Sequence, residues 1–263
     1  MTDVNFIQIL LVFIVAFIAG IDQFSFLESI YQPIVMGPVI GAILGNFELG
    51  LVVGGTYQLI TIGAMPIGGA QPPNAVIGGI MASIFACTAS PAIDASAAVA
   101  MAIPFSVLGT NFVTLLFTLM SGLMKLADKA AENANPKGIV NLNYLGMLIL
   151  GASFGVVCVA GLMAGSSIAD AINSYLPAFF MDGLAIAGKM MPFVGFAILM
   201  KVMLSGEYMG FFFAGFAMAA YVKPDMLFIG FIGLAIAIFY FQISSRQGSV
   251  AVATNGGGEE DGI

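Results

Sequence analysis

Four residues whose types and spacing could do chemistry lie close together in "GGTYQLITIGAMPIGGAQPPNAVIGG", positions 54–79: Gln58, Thr61, Gln71 and Asn74. Each carries a neutral group able to donate and accept hydrogen bonds, the pairing that a polyhydroxylated ligand asks of its site. Gln58 and Thr61, three residues apart, share a helix face. The stretch 65–79, which contains Gln71 and Asn74, holds three prolines and four glycines. These end helices and let the backbone approach a ligand or turn back. Two plainer readings stand beside this one. The stretch is also what an external loop looks like, and Thr56 and Thr61 also suit hydrogen bonding between helices.

What is missing narrows the chemistry. The 263-residue chain has no histidine and two cysteines, Cys87 and Cys158, each inside an apolar run. That excludes histidine-based triads, histidine zinc sites and a phosphohistidine on this chain, and it leaves no activated nucleophile or metal set. No cofactor and no nucleic-acid partner are expected. The residues suit a carrier rather than an enzyme.

The elements that must position these residues are membrane helices. The sequence is 60% hydrophobic and 8% charged, far below the roughly 25% charge of soluble domains. Its apolar stretches are helix-length and lack the alternation of a barrel strand, so the predicted fold is an all-α polytopic helical bundle with broken and re-entrant helices. The first 20 residues have no basic flank and read as a retained helix. Further apolar segments run over 31–45, 49–64, 75–89, 92–124, 139–165, 183–204, 208–222 and 226–243. A crossing takes about 20 residues, so several of these are half-helices or broken spans. The segment 92–124 contains Pro104 and is long enough for a kinked crossing, or for a half-helix followed by a full one. A break at membrane depth is tolerated only where protein or a cavity covers it, so 65–79 reads as a re-entrant hairpin with amides at its tip.

Residues 1–245 form the predicted membrane domain, and 246–263, ending in "GGGEEDGI", a disordered cytoplasmic tail. Lys125, Lys129 and Lys137 in "MKLADKAAENANPKG", with Arg246, place that loop and the tail in the cytoplasm. The loop reads either as a solvated helix or as a docking surface. Glycine pairs at 41/45, 50/54, 151/155, 161/165 and 206/210 predict close helix packing. Gln8 either faces the bundle interior or lies at the interface, the plainer reading, and Asp22 and Glu28 after the first helix read as interfacial. Glu48 belongs in an exposed turn, and Asp94 suits a helix N-terminus. Lys189 and Lys201, with Asp182 and Glu207 nearby, read as snorkelling or paired charges, with a role in the sugar path as the alternative. "AMPIGG" and "KMMPFVG" are a faint internal echo of the kind paired transporter breaks leave.

"LVFIVAFIAGIDQFSF", the block "QPIVMGPVIGAILGNFELGLVVGGTYQLITIGAMPIGGAQPPNAVIGGI", "LADKAAENAN" and "GFFFAGFAMAA" together resemble the IIC membrane subunit of the mannose/fructose/sorbose family of the bacterial phosphotransferase system. The resemblance covers nearly the whole chain. It implies a permease subunit of the bacterial inner membrane that carries a hexose or hexose derivative. It further implies a IID membrane subunit as partner, cytoplasmic IIA and IIB components with the phosphoryl transfer on IIB, a trimer of IIC–IID pairs, and an elevator-like movement of the sugar-carrying core. Mannose members carry acids where Gln58 and Asn74 stand. The amides keep hydrogen bonding but lose charge assistance, which weighs against mannose itself and leaves sorbose, an amino sugar, fructose or another hexose admissible. The alternative is a stand-alone secondary carrier for a small neutral solute. Such a carrier ordinarily keeps ionisable groups at its midplane site, and this break contains none.

Overall fold

The computed structural model describes residues 4–25, 27–64, 72–89, 93–175, 178–222 and 226–254. Among these every regular element is helical, and the chain divides into two compact units, Met1–Val202 and Met203–Ile263.

The first unit opens with α1, Phe6–Ser25, which buries Val12, Ala16, Ala19 and Gly20 along one stripe. That stripe meets the long helix α7, Pro136–Tyr175. Small residues make the approach possible. Gly151 and Gly155 of α7 lie under Phe17 and Phe13, and Gly20 lies under Phe154.

α2, Pro33–Leu44, and α3, Phe47–Thr61, form a tight helical hairpin. Gly45 adopts φ 90° at the end of α2, a left-handed cap that only glycine enters without strain. Asn46 then starts α3 by accepting from the Leu49 N–H at 3.1 Å. The two backbones touch: a Cβ added to Gly37 would sit 2.5 Å from the Gly50 carbonyl oxygen, and one on Gly41 would sit 2.8 Å from Gly50 Cα. The functional spacing in α2 is therefore Gly37/Gly41, facing Gly50/Gly54, and Gly45 serves the turn instead. Gln8 ties α1 to this hairpin, donating from Nε2 to the Ile43 carbonyl at 2.9 Å. It faces the bundle and not the interface.

α4, Ala75–Thr88, is the centre of the unit, with twelve of its fourteen residues buried. It packs against α1, α2, α3, α7 and α5, Ala95–Met120. Gly78 leaves room for the hydroxyl of the buried Tyr57, and Ile77 lies over Gly109 of α5. α5 runs through Pro104 as one helix and continues by a 3₁₀ turn, Ser121–Leu123, into α6, Met124–Glu132. The lysine segment is thus a short helix with no buried residue. It closes with Ala134 at φ 48° and with Asn135 Oδ1 accepting from the Gly138 N–H in the first turn of α7. α8, Ala178–Met203, ends the unit. Its Gly195 fits against the Leu59 and Ile60 carbonyls at the end of α3. Lys189 and Lys201 are exposed on α8, as are Asp182 and, in α3, Glu48.

The helices α1, α5 with its extension, and the first 29 residues of α7 are long and apolar enough to cross a membrane. The helices α2, α3 and α4, at 12, 15 and 14 residues, are shorter than a crossing.

The second unit holds a 3₁₀ turn, Gly206–Tyr208, then α9, Met209–Ala217, a π-helical turn, Met218–Val222, and α10, Met226–Thr254. α9 and α10 meet through aromatic rings: Tyr240 stands edge-on to Tyr208 and Phe211, with centroids 6.0 and 6.2 Å away. Beside them lies an apolar cavity of about 590 Å³ lined by Met218, Ile232, Gly233 and Ile236 among others.

Candidate functional site

A cavity of about 480 Å³ opens where the end of α3 and the start of α4 face the α1–α2 loop and α5. Gln58, Thr61 and Asn74 all line it. Gln71 lies outside the described residues. Thr56, although on the same arm, is not among the lining residues, and its hydroxyl donates to the Val52 carbonyl at 2.8 Å, within its own helix.

Each of the three amide or hydroxyl groups has a local reason for its place. Asn74 is the N-cap of α4: Oδ1 accepts from the Ile77 N–H at 2.9 Å, while its own backbone N–H donates to the Ser106 carbonyl of α5 at 3.0 Å. Prolines at 72 and 73 hold the chain extended up to that cap. Gln58 reaches across from α3 to α2, accepting at Oε1 from the Ile34 N–H at 3.3 Å. That N–H is one of the orphan donors at a helix start, which here begins on Pro33. The Thr61 hydroxyl donates to the Gln58 carbonyl one turn back at 3.2 Å, which leaves its oxygen able to accept.

The structure adds residues that the sequence pattern did not single out. Gln58 Nε2 donates to Gln32 Oε1 at 2.9 Å, and Asn74 Nδ2 donates to Gln23 Oε1 at 3.2 Å. Gln23 and Gln32 therefore form two amide pairs with Gln58 and Asn74, and Tyr31 and Thr110 complete the polar wall. Thr110 also donates to the Pro72 carbonyl at 3.0 Å, fastening the segment before α4 to α5. In each pair the oxygen of the α1–α2 side is used and its Nε2 is left over. The NH₂ groups of Gln23 and Gln32, with the second N–H of Gln58 and of Asn74, are therefore donors still open at the cavity among the described residues. None of the described lining residues carries a charge. A signal for the missed pair existed in "DQFSFLESIYQP", where glutamines end one apolar segment and open the next.

Asp22 departs from its expected interfacial place. It is fully buried in the last turn of α1. Its Oδ1 accepts from the Leu27 N–H at 2.8 Å, and its Oδ2 from the N–H groups of Ser29 at 3.1 Å and Tyr31 at 2.9 Å. Asp94 does precede a helix, α5, but makes no side-chain cap bond.

The arrangement can bind and release a neutral, hydroxyl-rich molecule. Its volume falls in the usual range of about 300–1,000 Å³ for small-molecule sites, and its polar groups are amides and hydroxyls spread over three walls.

Comparison with known proteins gives the family. The family model described as "PTS system sorbose-specific iic component" matches residues 6–239. The mannose-specific EIIC component of the phosphotransferase system of Escherichia coli strain K12 is 32% identical over 257 residues, 95% of this chain and 94% of that protein. N-acetylgalactosamine permease IIC component 1 of the same strain is 30% identical over 249 residues, 94% and 92% of the two chains. Among solved structures, a chain of the mannose transporter ManYZ in complex with microcin E492 superposes with a TM-score of 0.59 at 30% identity, covering 92% of this chain and 97% of that one. Relatives that are components of multi-subunit permeases do not favour the stand-alone carrier. The resemblance read from the sequence holds over nearly the whole chain: it belongs to the sorbose-specific IIC component family of the phosphotransferase system, sugar-permease subunits of the bacterial inner membrane.

Proposed function

We propose that the cavity between α3, α4 and the α1–α2 loop is where this IIC subunit holds its sugar during translocation, with Gln58, Thr61, Gln71 and Asn74 as contacts and Gln23, Gln32 and Thr110 joining them. The observation that carries this reading is the convergence of amides from three separate elements on one uncharged cavity. α3 and α4 then act as the two arms of a re-entrant hairpin, which a short buried helix such as α4 suits. The sugar is neutral, a hexose or an N-acetylated hexosamine. This follows from the uncharged lining and from relatives named for mannose and N-acetylgalactosamine.

The chain works with a IID membrane subunit, and cytoplasmic IIA and IIB components supply the phosphate, the transfer itself taking place on IIB. A trimer of IIC–IID pairs is the assembly that the family resemblance implies. The lysine helix α6 and the end of the chain beyond residue 245 face the cytoplasm.

The test is uptake of mannose, sorbose and N-acetylgalactosamine in cells carrying all components, comparing wild type with Gln58→Ala and Asn74→Ala. Losing a neutral hydrogen bond costs about 0.5–1.5 kcal/mol, more where a buried partner is orphaned, so affinity should fall roughly threefold to a hundredfold. Normal assembly with unchanged affinity in both variants would overturn the assignment.

A further inference from the structure

We infer that Asp22 is a positioning residue for the sugar cavity, an inference that rests on the reading of that cavity just given. Its carboxylate is buried without exposure in a chain that has few charges to spare. A buried charge is expensive unless it is hydrogen-bonded on both oxygens. Here the bonds all go to one short segment, the N–H groups of Leu27, Ser29 and Tyr31. That segment could not hold its shape by propensity alone, because Glu28 sits at φ 53°, a left-handed conformation that non-glycine residues avoid. The carboxylate thus holds a strained loop in one conformer.

The loop matters because of what stands at its end. Tyr31, whose N–H is gripped by Asp22, and Gln32, the next residue, both line the cavity, and Gln32 pairs with Gln58. On the helical side Gln23, the neighbour of Asp22, lines the same cavity and pairs with Asn74. One carboxylate therefore sets the distance between the two amide pairs without touching the ligand. If the loop loses this conformer, only the fraction of molecules still holding it binds sugar at full strength, and apparent affinity falls by that fraction.

Asp22→Asn keeps the shape and removes the charge. A carboxamide has one acceptor oxygen for three N–H donors and turns its own NH₂ toward at least one of them, so the loop is released. For whichever of sorbose, N-acetylgalactosamine and mannose the wild-type complex takes up, KM should rise about five- to thirtyfold, with Vmax per assembled complex within about twofold. A role in stability alone would instead lower the number of complexes and so Vmax, leaving KM where it was. Adding Glu28→Gly to Asp22→Asn removes the left-handed strain and should recover roughly three- to tenfold of the lost affinity.

Gln32→Ala in parallel separates the two claims, since Gln32 makes no side-chain cap bond to α2. A raised KM in Gln32→Ala with an unchanged KM in Asp22→Asn overturns the positioning role and leaves the cavity assignment standing. An unchanged KM in both overturns the cavity assignment and the positioning role with it. Failure of Asp22→Asn to accumulate in the membrane, uncorrected by Glu28→Gly, makes Asp22 a folding residue and also overturns the inference.

Discussion

The two units are written in the same alphabet and use it differently. Both are apolar and glycine-rich, yet in the first unit Gly37, Gly41, Gly50 and Gly54 bring α2 and α3 into backbone contact, while at Gly206, Gly210, Gly215, Gly230 and Gly233 of the second unit no described atom beyond the local backbone lies within 4 Å of where a Cβ would stand. α4 is buried almost throughout, whereas α9 buries no residue at all. Small residues alone do not create a tight interface. They create one where a second set faces them in register, as the two helices of the α2–α3 hairpin do. The first unit uses that closeness to bring polar groups from α1, α2, α3 and α4 within hydrogen-bonding distance of each other. The second leaves an apolar cavity among aromatic rings.

Gly50→Val should break this contrast most severely. Its Cβ would lie 2.5 Å from the Gly37 carbonyl oxygen and 2.7 Å from Gly41 Cα, both backbone atoms of a helix that cannot yield locally. Overpacking a close interface costs about 1–3 kcal/mol and more when backbone is the obstacle, so the variant should fail to accumulate or lose its cooperative thermal unfolding in detergent. Normal accumulation and an unshifted unfolding midpoint would mean the hairpin is not held by backbone contact.

The boundaries of α2, α3 and α4 were readable because hydropathy and punctuation agree there, whereas α7, Pro136–Tyr175, runs ten residues past the predicted 139–165. The segments 31–45, 49–64 and 75–89 correspond to Pro33–Leu44, Phe47–Thr61 and Ala75–Thr88. The structure finds the caps at Gly45, Asn46 and Asn74, residue types that suit helix ends, although Gly45 reads by its spacing as a packing glycine. What could not be read were partners distant in sequence. A carboxylate that caps N–H groups five to nine residues onward looks, locally, like any acid after a helix, so Asp22 was expected at the interface. Gln8 was expected there for the same reason, and its acceptor is 35 residues away. Spacing rules identify that two glycines share a face but not which face, hence the reading of Gly41/Gly45 where Gly37/Gly41 makes the contact. Gln58, Thr61 and Asn74 could be grouped from sequence because they flank one break. Gln23 and Gln32 belong to a different loop, and only the fold brings them opposite.

A smaller effect sharpens the polar side of the comparison. Asn74 serves both as the cap of α4 and as a cavity amide, and Asn74→Ser divides the two roles. A serine hydroxyl can still accept from the Ile77 N–H, so stability should stay within about 0.5 kcal/mol of wild type, while Asn74→Ala should lose about 1 kcal/mol of helix stability. Both variants lack the amide that meets Gln23, so both should weaken sugar uptake to a similar degree. Thermal unfolding of the purified chain reads the first quantity and KM for uptake reads the second. If serine restored full affinity, Asn74 would act only as a cap.

The smallest effect belongs to the second unit. Gly233→Ala adds a methyl group to a helix position that borders the cavity beside α9 and, apart from its own helix backbone, has no described neighbour within 4 Å. No clash opposes the substitution, and alanine is favoured over glycine within a helix by up to about 1 kcal/mol. The unfolding midpoint of the isolated chain, followed by circular dichroism, should therefore hold or rise by a few degrees. The same methyl at Gly54 would meet the Pro33 carbonyl oxygen and Gly37 Cα, so Gly54→Ala should lower the midpoint in the same assay. A fall of equal size in both variants would mean that α9 and α10 close on Gly233 as tightly as α2 closes on Gly54, and the distinction between a packed unit and an open one would be lost.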